Sequence, residues 1–195
     1  MSMKLVSYAI QTPGSLATII WGPPGVGKSA RIRQLAKAIR FYCETVIASI
    51  HQPEDAGGIL CPDGDHLRRE PDTWARRVLA ALEDKDLAGI VVFLDEFSCT
   101  PPTTQAAFLR PVLEGWVGDH YLPPERVKWV AAANPPELAA GGWSLAHPMA
   151  NRFTHLTMNG GEVDEWGAYM QAVSCGEDIP CADGSVRKLD LGQWG

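Results

Sequence analysis

The chain has 195 residues, 21.2 kDa, and is 46 % hydrophobic, which suits one domain with a sizeable core and makes disorder a poor default. Seventeen Lys and Arg stand against 23 Asp and Glu, a net charge of −6, which argues against a protein that binds nucleic acid through a general positive field. The five cysteines (Cys43, Cys61, Cys99, Cys175, Cys181) form no Cys-x-x-Cys pair, the start lacks a signal pattern and no apolar run approaches ~18 residues, so the expected setting is the cytoplasm, with reduced thiols and no membrane span.

Leu16–Trp21 is an apolar run of strand length, and Ser29–Arg40 carries helical spacing at Ile32, Leu35, Ala36 and Ile39. Between them lies Gly22-Pro23-Pro24-Gly25-Val26-Gly27-Lys28-Ser29. Gly, four residues, then Gly-Lys-Ser, set between a strand and a helix, is a phosphate-binding loop in its required context. Its glycines let successive N–H groups converge on phosphate oxygens, Lys28 brings charge to the outer phosphates, and Ser29 offers a hydroxyl to Mg²⁺. The nucleotide-binding segment therefore runs from Gly22 through Ala30. Ala9–Pro13 is expected near the purine, with no contact legible that would choose adenine over guanine.

Further along, Thr45–Ile50 reads as a second strand, and Pro62-Asp63-Gly64-Asp65 signals a hairpin within Gly57–Glu70. Asp72–Glu83 has helical spacing. Gly89–Asp95 is a buried strand whose last residue, with Glu96, puts two carboxylates at its exposed end. In a phosphate-loop protein that end adjoins the terminal phosphate. Asp95 would hold Mg²⁺ and Glu96 would act as general base toward water; the bland alternative is a strand ending in solvated acids. Pro102–Trp116 reads as a helix broken or restarted at Pro111. Val127–Ala133 is another apolar strand, ending in Asn134, an amide able to orient the nucleophile or, alternatively, only to cap the turn into Pro135-Pro136. Phe153–Met158 is a fifth strand, Asp164–Val173 a further helix, and residues 174–195 are rich in turn formers. Alternating strands and helices predict a mostly parallel sheet covered on both faces, with ligands at the carboxyl ends of its strands.

These motifs, in this order, resemble the AAA+ ATPases and within them the MoxR-like branch. The resemblance runs from about Thr12 to Tyr169 and is carried by the loop Gly22–Ser29, Leu94-Asp95-Glu96-Phe97, residues 101–109, Ala133-Asn134-Pro135 and Ala150-Asn151-Arg152-Phe153. It implies a three-layer αβα P-loop NTPase domain with sheet order 5-1-4-3-2, over residues 1–160. Residues 161–195 would form a partial or divergent helical lid or C-terminal extension. It further implies ATP with Mg²⁺, a homo-oligomeric ring, a hexamer being the expected form, and ATP-driven remodelling of a protein partner, for which the family association suggests a protein with a von Willebrand factor A domain. Arg152 falls where such proteins place an arginine finger reaching the neighbouring subunit's nucleotide, and Arg110 could face the same boundary. The Gln52–Asp55 stretch with the hairpin after it looks like the pore-facing insertion of that branch. The lid falls short of the family pattern, because only Asp164–Val173 resembles its first helix. A nucleotide-binding scaffold with little turnover is therefore the alternative. A small-molecule kinase fits poorly with a Glu96 that activates water, and a nucleic-acid motor fits poorly with the acidic balance.

Overall fold

The computed structural model describes residues 6, 9–11, 17–135, 137–138, 142–158, 179–180 and 186–187. The chain divides into two units, residues 1–158 and 159–195. In the second, Ile179–Pro180 and Val186–Arg187 pair antiparallel. The expected lid helix Asp164–Val173, with Cys175 and Cys181, lies outside the described residues.

The first unit is built on a five-stranded sheet. In chain order its strands are β1 (Ala17–Trp21), β2 (Phe41–Ile47), β5 (Gly89–Asp95), β8 (Val127–Ala133) and β9 (Phe153–Thr157). Their spatial order is β2-β5-β8-β1-β9, and every pairing is parallel. Counted as core strands one to five, that is the expected 5-1-4-3-2. Helix α1 (Lys28–Ala38) follows β1, α2 (Pro53–Gly57) and the hairpin β3–β4 (Ile59–Asp63, His66–Glu70) follow β2, and α3 (Thr73–Leu82) leads into β5. Helices α4 (Pro102–Ala107) and α5 (Leu109–Glu114) and the hairpin β6–β7 (Trp116–Val117, His120–Tyr121) precede β8; α6 (His147–Ala150) precedes β9.

Period-two alternation along the central strands divides the core. Ile90, Val92 and Leu94 of β5 pack with Trp74, Ala75 and Val78 of α3 and with Phe97 and Phe108. The intervening Val91 and Phe93 pack with Ile32 and Ala36 of α1 and with Val6 and Ile10. Both faces of β5 and β8 are therefore covered, which is why these strands read as apolar runs, broken only by Lys128 near the start of β8. Each large side chain buried there contributes about 1.5–3 kcal/mol.

Two expected boundaries shift, the second strand and the end of the helix before Trp116, while the expected restart around Pro111 is found. The second strand is Phe41–Ile47, not Thr45–Ile50; residues 48–50 form a 3₁₀ turn. Glu44, 4 % exposed, sits inside it, held by the Arg77 guanidinium of α3 and the Tyr42 hydroxyl. The helix expected over Pro102–Trp116 breaks at Phe108 and resumes with Pro111 in its next first turn, where a missing N–H costs nothing. It stops at Gly115, in left-handed geometry at φ 73°, and Trp116 opens a strand instead.

The two hairpins are joined by two hydrogen bonds, one backbone to backbone and one to a side chain. Asp119 N donates to Arg69 O (3.1 Å), and Arg69 N donates to Asp119 Oδ2 (2.8 Å). Gly118 makes that approach possible: at φ 58° any Cβ there would run into the Arg69 carbonyl.

Candidate nucleotide site

The carboxyl ends of β1, β5 and β8 open onto one cleft of about 410 Å³. It is lined by Pro24, Gly25, Val26, Gly27, Lys28, Ser29, Ala30, Arg33, Asp95, Glu96 and Ala132–Asn134. Gly25 and Gly27 both have φ 80°, the left-handed geometry that turns the loop into the first turn of α1. Gly22 and Pro23 do not line the cleft but hold Lys28 from behind. A second cavity of about 50 Å³, beside Pro111, Leu122 and Lys128, lies at the amino ends of the strands and is too small for a nucleotide.

Lys28 is buried, and its ammonium donates to Gly22 O (2.6 Å), Pro23 O (3.0 Å) and Asn134 Oδ1 (2.8 Å). These three acceptors use all of its donors. Burial lowers its pKa below the ordinary lysine value, and the Asp95 carboxylate opposes that shift in part. Ser29 Oγ donates to Asp95 Oδ2 at 2.6 Å. That hydroxyl and carboxylate, side by side at the mouth of the loop, are hard oxygen donors of the kind Mg²⁺ takes, so the residues fit the ion.

Glu96, the first residue after β5, is exposed and adopts left-handed geometry at φ 54°. Its Oε2 accepts a hydrogen bond from Ser49 Oγ (2.9 Å), in the 3₁₀ turn after β2. Asn134 is fixed from its own backbone: its N–H donates to Ser98 Oγ (3.1 Å), so the turn after β5 is stitched to the end of β8.

Of the residues expected from sequence, the cleft gathers Pro24, Gly25, Val26, Gly27, Lys28, Ser29, Ala30, Asp95, Glu96 and Asn134. It does not gather Arg152. That side chain is exposed just before β9, where Phe153 pairs with Ala17 at the amino end of the sheet, the far end from the phosphate loop. Arg110 is exposed on α5, with Nε 3.6 Å from Glu114 Oε2. Near Ala9–Pro13, the described Ile10 is buried against the α1 face of the sheet. Sequence reasoning missed Ser49, Ser98 and Arg33. The first two are isolated hydroxyls whose partners are distant in sequence; Arg33 was legible only as one turn beyond Ser29 on the same helix face.

A family model described as "ATPase family associated with various cellular activities (AAA)" matches residues 18–154. A crystal structure of a "putative ATPase" from Cytophaga hutchinsonii ATCC 33406 superposes with a TM-score of 0.59 at 18 % identity, covering 95 % of this chain and 52 % of that one. At that identity the likeness is one of fold, and this chain spans about half the length of that structure. No curated protein matches.

Proposed function

The chain belongs to the AAA family of ATPases, and from that premise we propose that it is a Mg²⁺-dependent ATP hydrolase of the MoxR-like kind, working as a homo-oligomeric ring. The observation that carries the reading is the convergence of the phosphate loop, the end of β5 and the end of β8 on one cleft. Lys28 and the loop amides would neutralise phosphate charge. Ser29 and Asp95 would hold Mg²⁺, which supplies charge neutralisation across the outer phosphates. Glu96 would accept the proton of a water attacking in line, and Asn134 would orient that water. Arg152 would act across a subunit boundary; its position at the far end of the sheet from its own chain's loop favours an action in trans over one in cis.

The proposed work is remodelling of a protein partner, with a von Willebrand factor A domain protein as the candidate that the MoxR-like resemblance suggests. The proposed setting is the cytoplasm; among the described residues no helix is long and apolar enough to cross a membrane. The boundary between an ATPase core over residues 1–160 and a lid or extension over 161–195 is part of the same proposal.

The test is phosphate release from ATP by the chain and by Glu96→Gln across protein concentration. Turnover that rises with concentration and vanishes in the variant, with ATP binding intact, is expected. Light scattering in ATP should show a ring, and a strict monomer at high concentration would remove that part of the proposal. The scaffold reading has one observation in its favour: one oxygen of the exposed Glu96 carboxylate already accepts a hydrogen bond from Ser49 Oγ. Tight ATP binding without hydrolysis, even with a partner added, would bring it forward.

A further inference from the structure

Two cationic side chains line the cleft among the described residues, Lys28 and Arg33. They differ in every respect that matters for binding an anion. Lys28 is buried with all three donors engaged. Arg33 is exposed, and its one hydrogen bond among the described residues is a long one, Nε to Ser29 O at 3.4 Å. No carboxylate lies within ion-pair distance of it among the described residues. The thiol near enough to feel its charge is Cys43, which burial pushes up to about 11 and which is therefore neutral at physiological pH. Arg33 thus presents a guanidinium with most of its five donors unspent.

Its position gives that guanidinium a direction. Arg33 follows Ser29 by one helical turn, so the two share a face of α1, and helical side chains lean back toward the amino end, here toward the loop. Ser29 is bonded to Asp95, and Glu96 follows Asp95. This is the side of the cleft where the outermost phosphate of a bound nucleotide would lie, since the inner phosphates belong to the loop amides. The charge balance calls for a second cation there. Asp95 and Glu96 already outnumber Lys28, and a triphosphate remains anionic even with Mg²⁺ bound. A planar fork of donors matches a terminal phosphate better than a point charge does.

We infer that Arg33 is a phosphate-contacting residue acting within its own chain, engaging the outermost phosphate of a nucleoside triphosphate and so setting the preference of the cleft for tri- over diphosphate. The inference rests on the nucleotide reading above. It differs from the role proposed for Arg152 in one measurable way: it needs no neighbouring subunit, so its effect persists at dilutions where a ring falls apart.

The experiment is titration of Mg²⁺-ATP and Mg²⁺-ADP against the full chain at low protein concentration, for the parent, Arg33→Gln, Arg33→Lys and Arg31→Gln. Arg31 lies on the same helix but does not line the cleft. Arg33 is exposed, so the variants should fold, and circular dichroism checks that they do. Loss of charge-assisted bonds to phosphate should weaken ATP binding by about tenfold or more in Arg33→Gln while ADP moves by less than about twofold. Arg33→Lys should recover part of the loss, and Arg31→Gln should match the parent. An unchanged ATP-to-ADP ratio in Arg33→Gln, or equal weakening of both nucleotides, would overturn the inference and leave the nucleotide reading standing. A parent chain that binds neither nucleotide at millimolar concentration would refute the nucleotide reading itself, and the role of Arg33 with it.

Discussion

Replacing Asn134 by alanine should lower kcat and KM together, which is not what loss of an ordinary ligand does. In the free protein Asn134 Oδ1 occupies one of the three donors of Lys28 at 2.8 Å. The other two face the Gly22 and Pro23 carbonyls, which belong to the loop backbone, so Asn134 is the acceptor able to swing away when a phosphate oxygen arrives. A hydrogen bond from a charged donor is worth about 1.5–3 kcal/mol. The cleft is open and Asn134 half-buried, so water recovers part of that, leaving about 1 kcal/mol of competition. Its removal should tighten ATP binding by a factor of about five. The amide would no longer orient the attacking water, and kcat should fall by about a hundredfold. Equilibrium titration with Mg²⁺-ATP and single-turnover phosphate release measure the two effects separately. Binding weakened by about tenfold with kcat preserved would refute the reasoning, because Asn134 would then be a ground-state ligand and not a displaced acceptor.

Ser49→Ala removes the donor that holds Glu96 Oε2 at 2.9 Å, and basal turnover at saturating ATP should rise by about two- to threefold; a fall would mean that Ser49 positions the base instead of restraining it. Lys128, buried in β8 with its ammonium on Pro124 O, has its pKa lowered by burial, with Glu125 opposing. The folded chain therefore releases that proton at lower pH than the unfolded chain, whose lysine titrates at the ordinary 10.5, so the parent gains stability as pH rises toward that value. Lys128→Met should accordingly be more stable than the parent by about 1 kcal/mol near neutrality, with the difference shrinking as pH climbs; urea melts at several pH values will show whether the gap narrows or stays flat. Gly118→Ala forces a side chain into left-handed geometry against the Arg69 carbonyl. It should cost about 2 kcal/mol locally and raise hydrogen exchange at the Asp119 amide by a factor of about thirty, and unchanged exchange would show that the two hairpins are not coupled there.

The parts of the fold legible in the sequence were those written in contiguous residues. β5 and β8 have both faces covered, so they read as apolar runs, interrupted only by Lys128, that lead to Asp95 and Asn134, and the phosphate loop is a local motif between a strand and a helix. What stayed illegible depended on partners far away in the chain. The second strand begins at Phe41, but Glu44 in its middle breaks the apolar pattern, and the guanidinium that makes its burial tolerable belongs to Arg77, 33 residues on. Trp116 continued the helical spacing of Val112 and Leu113, and only the left-handed Gly115 before it sends the chain into a hairpin instead. Ser49 and Ser98 carry no signature as single hydroxyls, since their significance is the company that β2, β5 and β8 give them.

The clamp between the two hairpins ties β3–β4 into the rest of the fold at a second point, beyond its own chain connections. β3–β4 projects its exposed Leu60 and Leu67 into solvent, anchored at one end by the segment that follows Ser49 and at its side, through Arg69 and Asp119, to β6–β7. β6–β7 in turn feeds β8, whose far end carries Asn134. From Leu67 the structure leads back to the cleft by two routes. One runs to the hydroxyl that restrains Glu96, the other down a central strand to the amide on Lys28. The hairpins and the cleft are thus held in one frame, through β8 on one side and the Ser49 turn on the other.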